Sequence, residues 1–300
     1  MAYLAIIGVG RGGINTLNEM VRKGMENEDV SCMVCDTDEV ILQKSPVKNK
    51  FLLNVKTDNK QFLTENTREE FIKEIDGIKI VIFIAGMGGI TGGDLLPELV
   101  SCCRTLNIKV CCMVTSPFSF EGEVKIKIAV DSLNNLRQFA DNVIVIPNNI
   151  IQKNDTNLNP ENAFKKSDLK LAELCHEFCF ILTEPSYVSF DLEDIFGILK
   201  NSAITIIATG YSSGEKRILA AFENAIHSPF FKPYNIREVD RIVCSFQCSQ
   251  QHQITMDEVE CIHQIMRYKL KKSIDFVWLF YFNNNLNEEI KVTLFASIDK

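Results

Sequence analysis

No stretch of about eighteen consecutive apolar residues occurs in this 300-residue chain, so no segment is expected to cross a membrane as a helix. There is no run of basic residues either. With a formal net charge of −7, a nucleic-acid backbone is excluded as the main partner. The apolar run at residues 1–7 is short and lacks a basic leader, so no secretory signal is expected. A complete zinc pattern is missing too. Cys32 and Cys35 form a CxxC inside a predicted strand, where a spacing of three points the side chains to opposite faces. Cys175 and Cys179 flank His176 at helical spacing, but no second CxxC or HxxxH completes a tetrahedral site. Eleven cysteines without a secretion signal are expected to be free, mostly buried thiols of a cytoplasmic protein. Internal repeats and low-complexity tails are absent, and glycine is missing from residue 25 to residue 76.

What is present is a globular composition, 46% apolar and 24% charged, with ample material for a core. Glycine, missing from that long span, is concentrated at Ala85-Gly86-Met87-Gly88-Gly89-Ile90-Thr91-Gly92-Gly93-Asp94. This loop follows the apolar run 78–84, a predicted buried strand, and precedes a predicted helix at 95–106. So many glycines cost backbone entropy. The usual compensation is a loop whose bare N–H groups face an anion, helped by the helix N-terminus. A tight structural turn is the plainer reading, but a turn needs only one or two glycines. Nearer the N-terminus, the first glycine loop of the chain, Gly8-Val9-Gly10-Arg11-Gly12-Gly13, opens a helix predicted at 14–23 and fits G-x-G-x-x-G. The acids Asp36 and Asp38 follow about 25 residues on. Alone, that pattern places a phosphate on a helix N-terminus without naming the nucleotide, and a nicotinamide-dependent oxidoreductase is one reading of it.

The runs 3–7, 30–35, 78–84, 109–114 and 142–146 are predicted strands, alternating with helices at 14–23, 67–75, 95–106 and 123–139. That alternation predicts an α/β fold, a doubly wound parallel sheet. Each candidate loop follows the C-terminal end of a strand, where such sheets bind ligands. The span 44–68 is polar with little period. Pro160 opens a long helix that runs to about 183 and is ended by Pro185. Beyond it lie predicted helices at 191–202, 214–227 and 256–270 and strands at 203–208 and 241–246. The strands 274–282 and 289–297 are read as an antiparallel hairpin turning at 283–287.

The order of these loops resembles the FtsZ family of bacterial tubulin homologues. Gly88-Gly89-Ile90-Thr91-Gly92-Gly93-Asp94 resembles the signature GGGTGTG. The stretch from Thr115 to Gly122 is nearly T-K-P-F-S-F-E-G, with Ser116 for the lysine. Ile146-Pro147-Asn148-Asn149 resembles I-P-N-D, and Ser189-Phe190-Asp191-Leu192-Glu193-Asp194 resembles N-x-D-F-A-D. Phe164 and Asp168 keep the family's spacing on the long helix. Gly214-Glu215, Arg217 and Ser228-Pro229 resemble G-E-N-R…S-P, and 286–295 resembles the last strand. A dehydrogenase would carry none of this, and the second glycine loop would have no role in one. The resemblance implies a tubulin/FtsZ-like GTP-binding domain at 1–162, a bridging core helix at 163–184, and a smaller α+β C-terminal domain at 185–300.

It also implies a site. Gly10, Arg11, Gly12 and Asn15 match the family's first loop, Arg11 adding charge where the family has glycine. Gly88, Gly89, Thr91 and Gly92 match the main phosphate loop. Glu121 matches a ribose contact, Lys125 stands where the family has arginine, and Asn148 matches a base-side contact. Phe164 would stack on the base, and Asp168 would accept from guanine N1 and N2, adjacent donors that adenine lacks. Asp191 and Asp194 would be catalytic: one copy binds GTP, and the next, stacked head to tail, brings these acids over the γ-phosphate with Mg²⁺. By pattern alone, Asp-x-x-Asp at a helix start is also a cap. GTP or GDP, Mg²⁺ and other copies of the chain are the implied ligands and partners, with room for other division proteins.

Three departures accompany the resemblance. The span 44–67 lacks the family's glycine-rich γ-phosphate loop, so weak hydrolysis is one expectation. The alternative function is a non-hydrolysing GTP- or GDP-bound regulator, or a co-assembling structural protein. Ile90, Gly93 and Asp94 replace Gly, Thr and Gly in the signature, with Asp94 expected to point sideways. The chain stops at the last predicted strand, without the family's linker and C-terminal peptide.

Overall fold

The computed structural model describes residues 3–56, 62–154, 158–187, 192–200, 202–271 and 274–299. The chain divides into two compact units, Met1–His176 and Glu177–Lys300. The division falls inside one helix, α7 (Pro160–Thr183), whose start is set by Asn159, which accepts from the Asn162 N–H, and by the proline at its first position.

The first unit is a six-stranded sheet. Its strands are β1 (Leu4–Val9), β2 (Val30–Asp36), β3 (Asn49–Leu52), β6 (Ile80–Gly86), β7 (Lys109–Ser116) and β8 (Asn142–Pro147). The two-residue strands β4 (Val55–Lys56) and β5 (Phe62–Leu63) pair apart from it. The sheet order is β3-β2-β1-β6-β7-β8 and every pairing is parallel. The connections therefore run outward in both directions from β1 and β6, and the crevice at their carboxyl ends is where such sheets hold ligands.

Alternation along the strands divides the core between two faces. Ala5, Ile7, Val9, Val81, Phe83 and Ala85 face a cluster completed by α3 (Glu65–Glu74), α4 (Leu96–Thr105) and α5 (Glu123–Phe139). The other face, which carries Gly8, is covered by α1 (Gly10–Arg22). There the fit is backbone to backbone: a Cβ on Gly13 would lie 2.1 Å from the Ile84 carbonyl oxygen, and one on Gly8 would lie 2.7 Å from the Gly13 carbonyl oxygen. Gly13→Ala is expected to destabilise the protein by about 3 kcal/mol or more, because the overlap falls on rigid strand backbone and outweighs the roughly 1 kcal/mol helix-propensity gain. Gly197, in α8 (Leu192–Leu199) with open space around it, should respond to the same change by gaining about 1 kcal/mol. Denaturant midpoints of the two variants check both signs.

Several elements lie in spans the sequence left irregular. The predicted polar connection at 44–68 contains β3, paired with β2, and α2 (Glu39–Lys44) just precedes it, capped by Asp38. A short helix, α6 (Asn148–Asn154), follows β8.

The second unit is a four-stranded sheet of β9 (Ile204–Ser212), β10 (Arg241–Cys248), β11 (Asp275–Phe282) and β12 (Ile290–Ile298), in the order β11-β10-β12-β9. One face packs on α9 (Arg217–Ile226) and α10 (Met256–Lys269), the latter opened by a Thr255–Glu258 capping box. The expected hairpin of the last two strands is corrected here. β10 lies between them, parallel to β11 and antiparallel to β12. A direct hairpin is closed by a few residues, whereas stepping over one strand means covering about 10 Å, which the seven-residue connection at 283–289 manages easily. That connection is tied down over the end of β10: Asn283 donates its backbone N–H to Cys248 and its side-chain amide to Gln247.

All eleven cysteines are free, and all but Cys261 are buried. No helix among the described residues is long and apolar enough to cross a membrane.

Candidate functional site

β1 runs straight into α1 with no intervening loop. Gly10 makes the bend at φ 70°, a conformation that side-chain-bearing residues rarely adopt. The residue before the helix, Val9, offers no side-chain cap, so the first-turn N–H groups of α1 stay available. The second glycine loop behaves the same way. β6 ends at Gly86, and after Gly89 the chain enters a π-helical turn, Ile90–Leu95, that leads into α4. Gly89 cannot cap it with a side chain. The two loops touch: a Cβ on Gly10 would lie 3.3 Å from that of Thr91, and one on Gly12 would lie 3.3 Å from the Gly86 nitrogen. Two uncapped helical starts thus open side by side at the carboxyl ends of adjacent strands, an arrangement whose bare N–H groups suit an anion.

Both loops line a cleft of about 840 Å³. Of the binding residues expected from the sequence, Gly10, Arg11, Gly12, Asn15, Gly89, Thr91, Gly92, Glu121, Lys125, Asn148, Phe164 and Asp168 all line it. Gly88 does not. Its φ is 92°, and the space its Cβ would take holds Pro117 at 2.8 Å and the Lys125 carbonyl at 3.0 Å, so this glycine shapes the loop from behind. Asp94 is exposed and also absent from the lining.

Another wall of the cleft is built by α7. Phe164 is 41% exposed, and Phe118 and Phe120 meet it at nearly right angles with centroids 5.2 and 6.0 Å away. Such packing fixes the ring while leaving much of it open. One turn on, Asp168 Oδ2 accepts from the Asn15 amide at 3.2 Å, joining α7 to α1. Burial pushes the Asp168 carboxyl up to about 7; the Asn15 hydrogen bond opposes this and the neighbouring Glu19 charge adds to it. Asn148, at the start of α6, is buried and accepts from the Ser167 hydroxyl. Glu121 also lines the cleft. Its Oε1 accepts from the Phe118 N–H at 2.9 Å and its Oε2 from Lys125 Nζ at 3.1 Å, which fixes the carboxylate with its remaining lone pairs on the cleft.

Sequence reading missed several lining groups. Glu19 and Arg22, paired with each other, continue the α1 face of Arg11 and Asn15 at helical spacing, so that period was the available signal. Lys165 and Ser167 flank Phe164 and Asp168 on α7. Asp36, noted only for its distance from the first glycine loop, is buried at the end of β2 and accepts from the Asp38 N–H. Of the two expected catalytic acids, Asp191 lies outside the described residues. Asp194 is exposed on α8 in the second unit and is not part of the lining. Among the described residues no group of three or more His, Cys, Asp or Glu side chains is placed to hold a metal ion.

Comparison with known proteins places the chain in a family. Residues 4–155 match the model of the Tubulin/FtsZ family GTPase domain, and residues 203–298 that of the FtsZ family C-terminal domain. The cell division protein FtsZ of Porphyromonas gingivalis is 29% identical over 308 residues, an alignment that takes in 98% of this chain and 66% of that protein. The chain thus spans slightly less than two thirds of that relative. The cell division protein FtsZ 1 of Thermococcus kodakarensis is 28% identical, with 98% and 80% covered. Among solved structures, an empty FtsZ dimer from M. jannaschii superimposes with a TM-score of 0.84 at 23% identity, covering 99% of this chain and 88% of that one. A GTPγS-bound protofilament of CetZ2 from Haloferax volcanii gives 0.79 at 14% identity, covering 100% and 94%. At these identities the structural likeness speaks for the fold.

Proposed function

The chain belongs to the tubulin/FtsZ family, and from that premise we propose that it is a cytoplasmic guanine-nucleotide-binding protein of the FtsZ kind, which assembles head to tail in cell division and hydrolyses GTP where two copies meet. The observation that carries this reading is that one cleft is lined both by two uncapped helical starts and by Phe164 and Asp168. A nucleoside phosphate carries both partners these groups call for, an anion and a flat base with hydrogen-bond donors. Phosphates would take the amides around Gly10–Gly12 and Gly89–Gly92, with Arg11 beside them. The ribose hydroxyls would donate to Glu121, already oriented by Lys125. The base would lie on Phe164, with Asp168 accepting from N1 and N2 and Asn148 close by.

Mg²⁺ suits such a site without a protein cage, since it is usually carried on phosphate oxygens and water with one or two carboxylates. Bound there, it would neutralise charge developing on the phosphates. The attacking water would be oriented by Asp191 and Asp194 of the adjoining copy, so that turnover depends on assembly.

The test is sedimentation and phosphate release measured together, with GTP and Mg²⁺, over a range of protein concentrations. Both are expected to rise past a common threshold, and GDP is expected to support neither. A second reading, a nucleotide-bound protein that does not hydrolyse, is favoured by one feature: no described residue between Ile41 and Gly86 lines the cleft. Nucleotide retained at one per chain but never turned over, at any concentration, would select it.

A further inference from the structure

We propose that Arg11 reads the terminal phosphate of the bound nucleotide and so sets the preference for the triphosphate over the diphosphate. This rests on the guanine-nucleotide reading above. Four cations reach the cleft: Arg11, Arg22, Lys125 and Lys165. Three have other positions or partners. Arg22 is paired with Glu19, and Lys125 with Glu121. Lys165 stands beside Phe164 on α7, at the end assigned to the base. Arg11 alone stands at the start of α1, next to Gly10, whose backbone abuts Thr91 and Gly92 of the other glycine loop. It is exposed, and it has no hydrogen-bond or ion-pair partner among the described residues.

The cleft's own walls make this cation matter. Amides line the phosphate end from two sides only, Gly10–Gly12 and Gly86–Gly92, and no described residue from 42 to 85 closes the remaining side. Amides at helix starts bind whatever phosphate lies nearest, which di- and triphosphates share. Discriminating the extra phosphate takes a donor that reaches past the shared ones. A guanidinium does so with a planar fork that meets two phosphate oxygens at once.

The experiment is equilibrium binding of GDP and of a non-hydrolysable GTP analogue to the full chain, to Arg11→Gly and to Arg11→Lys, below the assembly threshold and with Mg²⁺ present. Arg11→Gly is expected to weaken the triphosphate about tenfold or more and GDP less than about twofold, with an unchanged melting temperature. Arg11→Lys should fall between, keeping charge but losing the fork. Equal loss for both nucleotides would place Arg11 on a shared phosphate and overturn the proposal, as would no loss for either. A wild-type protein that bound neither nucleotide would instead remove the guanine-nucleotide reading itself.

Discussion

Asp194→Asn is expected to cut GTP turnover by about a hundredfold or more while leaving nucleotide affinity at the wild-type level. The acids that line the cleft are already engaged or misplaced for activating water. Glu121 is held by the Phe118 N–H and Lys125, Asp168 by Asn15, Glu19 by Arg22, and Asp36 by its own turn. Glu161 stands three residues before Phe164, at the base end. Among the described residues the cleft therefore leaves no carboxylate set to orient a water on the terminal phosphate, and an acid from an adjoining copy would do so. Asp194 suits the role as an exposed side chain in the first turn of α8 that takes no part in the cleft. Asparagine keeps its size, and an exposed change there should alter stability by no more than about 1 kcal/mol. Loss of turnover would thus be chemical, and Asp191→Asn should act in the same sense. A mixing experiment makes the claim stricter. Copies carrying Asp194→Asn should still hold nucleotide, and copies crippled in the cleft should still present Asp194. Neither should turn over GTP alone, yet their mixture should recover a fraction of the wild-type rate. Phosphate release untouched by both aspartate changes would dismiss the shared site.

The parts of this molecule that could be read in advance are those whose cause is local. Helix α5 occupies 123–139 as expected, and α7 begins at Pro160 and stops short of Pro185, because their amphipathic patterns and proline boundaries are written in neighbouring residues. The glycine loops are legible for the same reason: bare amides at a strand-to-helix junction are a property of one short stretch. β3 escaped because it is an edge strand with one neighbour and little burial, so it shows no apolar run. The order of the second sheet escaped because two alternating strands flanking a short loop look alike whether they pair directly or straddle a third. Lys291 lies on a strand read as alternating, yet it is buried and paired with Glu177, a partner 114 positions away. The base end of the cleft belongs with these cases. Asn15 and Asp168 are 153 positions apart, and nothing near either residue announces the other. Without the family resemblance, Asp168 reads as a solvated helix acid and Phe164 as core. Folding brings them onto one wall.

Asp168→Ala should weaken GTP and GDP alike by about a hundredfold, since guanine N1–H and N2–H would both lose a charged acceptor in a partly desolvated site. Equal loss for the two nucleotides is the signature of a base contact and separates this residue from Arg11. The carboxyl also makes a pH prediction. Burial raises it to about 7, so the empty protein holds a proton there that an unfolded chain would release at much lower pH. Ionising it works against folding, and this group lowers stability as pH rises from the ordinary carboxyl range to about 7. Binding reverses the preference, because two adjacent donors require the ionised form. Nucleotide uptake below about pH 7 should then expel a proton, and affinity should be about tenfold weaker at pH 6 than at pH 8. Calorimetry in buffers of different ionisation heat reads the expelled proton directly: the apparent enthalpy should depend on the buffer at pH 6 and cease to do so at pH 8. Asp168→Asn should abolish that dependence. Affinity that weakened with rising pH over this interval, or that ignored the loss of the carboxylate, would mean the base is recognised elsewhere in the cleft.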